Sequence, residues 1–183
     1  MGTVLVGLAL FVVSAAPTVA ATTLPTVTPV CNFKPATIVA EPGATSVRGT
    51  QGPDVIVALD RGVRIDGRGG DDTICAGDGD NIINGGAGND WIDGGSGTNT
   101  IAGGADNDTM YGGAGDDTIL GDTGNDDIDA GDGDNLVSTG SGDDDIVTGA
   151  GDDRIDGGKD FDTCQAGAGS NYVGHCEGTQ GTQ

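Results

Sequence analysis

A short polar side chain recurs at every ninth residue over two thirds of this chain. The series runs Asp54, Val63, Asp72, Asn81, Asp90, Asn99, Asp108, Asp117, Asp126, Asn135, Asp144, Asp153, Asp162 and Asn171, interrupted only by Val63. Aspartate set among glycines can supply oxygen to a hard cation such as Ca²⁺, which takes six to eight oxygens in flexible geometry. Neighbouring carboxylates can also work as an acid and base pair, and Asp116 with Asp117, or Asp143 to Asp145, offer such neighbours. These pairs fall at fixed repeat positions, so they read as a turn ligand with solvated neighbours.

The frame is clearest in Gly85 to Asp93, Gly-Gly-Ala-Gly-Asn-Asp-Trp-Ile-Asp, whose residues define positions one to nine. Glycines favour one, two and four, Asp or Asn six, and an apolar residue eight. Fourteen such units run without insertion from Gly49 to Gly174. Position eight reads Ile56, Ile65, Ile74, Ile83, Ile92, Ile101, Met110, Ile119, Ile128, Val137, Ile146, Ile155, Cys164 and Val173.

Positions seven to nine predict a short strand, with position eight on one face and seven and nine on the other. Positions one to six predict a turn whose glycines adopt angles other residues resist. Two units then form one coil, seven coils in all, with an apolar interior one residue thick. Such a coil is weak by itself. One buried Ile contributes about 1.5–3 kcal/mol, whereas ordering nine backbone residues costs on the order of 9–18 kcal/mol. Stacking also brings like carboxylates together, so the sequence calls for a cation.

Composition points the same way. The 183 residues carry a net charge of -22, 37 glycines and 3% aromatics. Only Glu41 and Glu177 of the 29 acidic residues are glutamate, a bias that mere solubility does not require. Nucleic acid and anionic membrane are poor partners for this charge. The same composition marks disordered chains, which is the expected state without a ligand. A strict ninefold phase argues for a stacked solenoid instead.

The motif Gly-Gly-x-Gly-x-Asp-x-aliphatic-x resembles the calcium-binding nonapeptide of the RTX, or haemolysin-type, family. The resemblance implies an all-β fold, a right-handed parallel β-roll of about fourteen nine-residue half-turns with caps at both ends. It also implies calcium as the cofactor, held between coils by turn carbonyls and the position-six side chains. The candidate ligands are therefore Asp54, Asp72, Asp90, Asp108, Asp117, Asp126, Asp144, Asp153 and Asp162, with Asn81, Asn99, Asn135 and Asn171.

Alternate units stack on the same side. Odd units carry Asp at position six throughout, from Asp54 to Asp162, whereas even units carry mostly Asn. The odd side is expected to hold the tighter calcium column, because anionic ligands bind a hard cation more strongly. The even side would bind weakly or be held by stacked Asn side chains; interchangeability of Asn and Asp is the alternative. Arg61 and Val63 should disable the second unit, while Asp106 and Asp160 replace position-four glycines and should distort or enrich their turns.

The ends differ from the middle. Residues 1–21 combine an apolar run, Val4 to Val13, with small residues up to Ala21, and read as a secretory signal peptide that lacks a basic start. Residues 22–48 form a Thr/Pro-rich lead-in and a cap in which Ile38 and Val47 continue the ninefold phase. Residues 49–174 are the roll, and 175–183 the C-terminal cap and tail. Four cysteines in an exported chain suggest disulfides. Their placement predicts Cys31 to Cys75 and Cys164 to Cys176, each tying an end to the roll; two other pairings and free thiols stay open. Similar cysteine placement occurs in small secreted actinobacterial calcium-binding repeat proteins, which the whole chain resembles.

No His-Glu-x-x-His zinc motif or Gly-x-Ser-x-Gly elbow occurs, and the one histidine, His175, reads as a solvated cap residue. The chain therefore reads as a secreted, extracellular, monomeric calcium-binding protein without enzymatic activity. The alternative is a cell-surface adhesin using a face of the roll, with an unknown surface or polysaccharide ligand; Trp91, Tyr111 and Val147 could form a small exposed patch. An ice-binding face is disfavoured because the odd turns offer Asn89, Asn107 and Asn125 but only Thr123 as a matching threonine. The sequon at Asn107 lies inside a candidate calcium turn and reads as coincidental.

Overall fold

The computed structural model describes residues 29–59 and 62–179. The expected signal peptide, most of the lead-in, Arg61 and the last four residues lie outside that range. Every regular element among the described residues is a strand.

The strands form two parallel sheets that face each other as a flattened solenoid. One sheet has nine strands: Ile38–Val39, Val55–Val57, Thr73–Cys75, Trp91–Asp93, Thr109–Tyr111, Asp127–Asp129, Asp145–Val147, Thr163–Gln165 and Gly178–Thr179. The other has eight: Ser46–Arg48, Arg64–Gly69, Ile82–Ala87, Thr100–Ala105, Thr118–Thr123, Leu136–Ser141, Arg154–Asp156 and Tyr172–Gly174. Neighbours in each sheet are two repeats apart, as in Ile74 against Ile92 and Ile83 against Ile101. The roll thus has about eight coils, one more than the fourteen units supply. The added ladder rungs come from the ends, where Ile38 pairs with Ile56, Val47 with Ile65 and Gly178–Thr179 with Thr163–Gln165.

Position eight fills the interior from Ile56 to Cys164, each residue at most 1% exposed. The pleat requires this, since positions seven and nine then face outward. The last unit departs from the expectation: Val173 is 36% exposed. Its strand, Tyr172–Gly174, is the sheet edge, with a partner on one side only. Outside, Trp91 and Tyr111 meet as a tilted pair, with ring centroids 5.5 Å apart and planes at 48°.

Two disulfides tie the ends down. Cys31, in a hairpin strand Val30–Cys31 paired with Lys34–Pro35, is bonded to Cys75 with Cα atoms 5.8 Å apart. Cys164 is bonded to Cys176 with Cα atoms 5.9 Å apart. The loops they close span 44 and 12 residues, which in the chain-entropy account corresponds to about 4 and about 3 kcal/mol. Replacing Cys31 and Cys75 together by serine should therefore lower the urea midpoint of the calcium-loaded chain more than replacing Cys164 and Cys176. Equal midpoints would contradict a loop-length origin.

Candidate calcium-binding turns

The turns line the two edges of the roll, odd units on one and even units on the other. Backbone ladders hold them in register, so position six of every coil lies above position six of the coil before. All of these side chains from Asp54 to Asp162 are buried. On the odd edge each position-six N–H donates to Oδ1 of the next aspartate in the stack. Asp54 donates to Asp72, Asp72 to Asp90, Asp90 to Asp108, Asp108 to Asp126, Asp126 to Asp144 and Asp144 to Asp162, at 2.8–3.0 Å. The even edge repeats the ladder, Val63 donating to Asn81 and so on to Asn171.

The second carboxylate oxygen is different. Oδ2 of Asp72, Asp90, Asp108, Asp117, Asp126, Asp144, Asp153 and Asp162 is buried without a hydrogen-bond partner. A buried, unpartnered anionic oxygen is strongly unfavourable. The Oδ2 atoms of Asp72, Asp90, Asp108, Asp117, Asp126 and Asp162 lie beside the position-one glycine of their own turn. A Cβ placed on Gly112 would lie 2.6 Å from Asp117 Oδ2 and 2.5 Å from the Ala130 carbonyl oxygen of the next coil. A Cβ on Gly67 would lie 2.5 Å from both Asp72 Oδ2 and the Gly85 carbonyl oxygen. Carboxylate and carbonyl oxygens thus converge with no donor between them, a donor set that suits a hard cation. Among the described residues no three His, Cys, Asp or Glu side chains cluster as a metal site.

Five expected ligands are placed differently. Asp54 lies in the column, but its Oδ2 accepts from Thr50 N–H at 2.7 Å and Thr50 Oγ1 at 2.9 Å, so the first turn is satisfied internally. Asn81 and Asn135 present nitrogen, not oxygen, to the cradle. Asn81 Nδ2 donates to Gly79 O at 2.8 Å and Gly94 O at 3.3 Å, and Asn135 Nδ2 to Gly133 O at 3.0 Å and Gly131 O at 3.1 Å. Asn99 and Asn171 behave alike, donating to Gly97 O and Gly167 O. Because Oδ1 already receives an N–H, the amide nitrogen must be the atom that faces these carbonyls.

Two further roles escape the repeat pattern. Glu177 Oε2 accepts Asp162 N–H at 3.0 Å, filling the place of a next position-six residue at an out-of-phase distance of 15. Position five, expected to be solvated, forms a second ladder running the other way. Asp71 Oδ1 accepts from Asn89 N–H, Asn89 from Asn107, Asn107 from Asn125 and Asn125 from Asp143, at 2.8–3.1 Å. The prevalence of Asp and Asn at position five was the available signal. Asp106 and Asp160 keep φ of 76° and 77°, the left-handed region where Asp is among the tolerated residues, so their turns keep the glycine-like path. His175 is exposed and contacts Asp156 Oδ1 through Nδ1 at 2.6 Å.

Burial pushes the position-six carboxyls upward in pKa. Asp108 rises to about 8 through burial, opposed by the Asp90 N–H and reinforced by the charges of Asp90, Asp126 and Asp106. Asp90 rises to about 7, and Asp72, Asp126 and Asp162 to about 6, with burial the leading cause in each. Asp117 and Asp144 are also raised by burial. The roll thus disfavours its own ionised carboxylates unless a positive charge joins them.

The family model for the RTX calcium-binding nonapeptide repeat, itself four copies long, matches residues 48–83, 66–101, 76–110, 102–137 and 138–173. The chain belongs to this family. No curated protein and no solved structure gave a significant match. RTX repeats are calcium-binding structural repeats rather than an enzyme family, and a β-roll built from them fits a calcium-binding function. Two disulfides in this RTX chain suit an oxidising compartment, and no helix among the described residues is long and apolar enough to cross a membrane.

Proposed function

We propose that this chain is a secreted calcium-binding protein in which a column of calcium ions drives folding of the roll. The observation that carries the proposal is the set of eight buried Oδ2 atoms without partners. Asp72, Asp90, Asp108, Asp126, Asp144 and Asp162 supply the odd-edge column, and Asp117 and Asp153 two even-edge sites, each completed by turn carbonyls. Bound calcium supplies positive charge where each carboxylate meets those carbonyls. Without it the Ile stack, one residue thick, does not offset the entropy of ordering the glycine-rich turns.

Binding and folding are then one equilibrium, as in small metal-dependent domains. A chain exported unfolded through residues 1–21 would fold on meeting external calcium. Far-ultraviolet circular dichroism during calcium titration of chelated protein tests this directly. Sheet signal should rise cooperatively with calcium and disappear again with excess chelator. A full sheet signal in chelator, unchanged by calcium, would sink calcium-driven folding.

A further inference from the structure

We infer that the asparagine turns are closed without metal, the Asn side-chain amide standing in for calcium. This inference rests on the calcium reading of the aspartate turns and concerns which half-turns are sites at all. The two kinds of turn share one ladder through Oδ1 and differ at the second atom. In every aspartate turn but that of Asp54 this atom is an unpartnered oxygen, and beside a position-one glycine it faces carbonyl oxygens. In Asn81, Asn99, Asn135 and Asn171 it is an N–H₂ that donates to the position-four carbonyl, the position-two carbonyl or the position-one carbonyl of the next coil. An amide nitrogen carries two donors, so it satisfies the acceptors that a cation would otherwise gather. Among the described residues no buried Asn side-chain atom is left unpartnered.

Position one follows the same division. Ala58, Ala76, Ala130 and Ala166 each stand five residues before Val63, Asn81, Asn135 and Asn171, never before an aspartate. All nine position-six aspartates follow a position-one Gly or Thr, the two threonines being Thr139 and Thr148. Geometry supplies the reason. A Cβ at position one points at the position-six side chain and at the carbonyl of the next coil, as the surroundings of Gly67 and Gly112 show. A methyl there takes up the space that a cation between those oxygens needs. Threonine adds a hydroxyl oxygen with its methyl, and Thr139 Oγ1 donates to the Gly157 carbonyl. Gly94 with Asn99 shows that the amide also closes a turn whose position one is glycine.

The roll therefore combines an odd edge that depends on calcium with an even edge largely locked by amides.

Calcium counting by native mass spectrometry on the full chain, together with circular dichroism in chelator, tests the assignment. Asp126→Asn should lose one calcium ion, and Ala130→Gly combined with Asn135→Asp should gain one. The triple exchange Asp90→Asn, Asp108→Asn and Asp126→Asn should retain more sheet in chelator than the wild-type chain. A wild-type chain that binds calcium, with a count unmoved by the Ala130 and Asn135 exchanges, would overturn this inference alone. So would a triple variant with no more sheet in chelator than wild type. A wild-type chain that binds no calcium would overturn the calcium reading as well.

Discussion

Gly88→Ala should destabilise the calcium-loaded roll by several kcal/mol, while Gly52→Ala at the same repeat position should change almost nothing. Gly88 holds φ at +114°, and a Cβ there would sit 2.7 Å from both the carbonyl carbon and oxygen of Gly70 in the coil beneath, and 3.1 Å from Asp71 Oδ1. A non-glycine residue in such a region costs about 1–3 kcal/mol, and overpacking against fixed backbone adds about 1–3 kcal/mol. The coil cannot yield, because the Gly88 N–H is itself bonded to the Ala105 carbonyl of the next coil at 3.1 Å. Gly52 occupies position four of the first unit, where an added Cβ meets nothing within 4 Å. An exchange into open space of that kind is worth within about 0.5 kcal/mol. Urea unfolding of both variants at saturating calcium measures the difference. Equal midpoints would show that close coil-to-coil approach does not limit this position.

Calcium is expected to invert the pH dependence of the roll. An unfolded aspartate titrates near about 3.9, whereas in the folded chain Asp108 rises to about 8, Asp90 to about 7 and Asp72, Asp126 and Asp162 to about 6. The folded state thus binds more protons than the unfolded one between those limits. Stability of the metal-free roll is then greatest below about pH 4 and is lost as pH rises through about 6 to 8. Protons substitute for the missing cation on the unpartnered oxygens. With calcium the sign reverses, since calcium needs the deprotonated carboxylate, and the concentration for half-folding should rise as pH falls from about 8 to about 6. Circular dichroism against pH, with chelator and with calcium, gives both curves. A chelated chain whose sheet signal stays flat or grows from pH 4 to pH 8 would contradict this linkage.

The ninefold repeat is enough to specify the architecture, because one phase controls both edges and interior. Ile92 at position eight and Asp90 at position six recur in register through the stack, and strand pairs such as Ile74 with Ile92 keep that register. Even the cap strands at Ile38 and Val47 were legible, since they hold the ninefold phase without its glycines. The repeat could not show where the stack stops supporting a residue. Val173 obeys the motif, yet it lies on an edge strand and is exposed; Asp54 obeys it, yet Thr50 satisfies its carboxylate. Glu177 breaks the phase and still completes the column by accepting Asp162 N–H. Which position-six atom faces the turn carbonyls is set by how the coils stack. Asp and Asn share a shape and an Oδ1 ladder, so the repeat pattern ranks Asp as the tighter ligand without showing what the Asn amide does. Stacking buries the remaining atom, and burial makes the difference between an unpartnered oxygen and a donating nitrogen decisive.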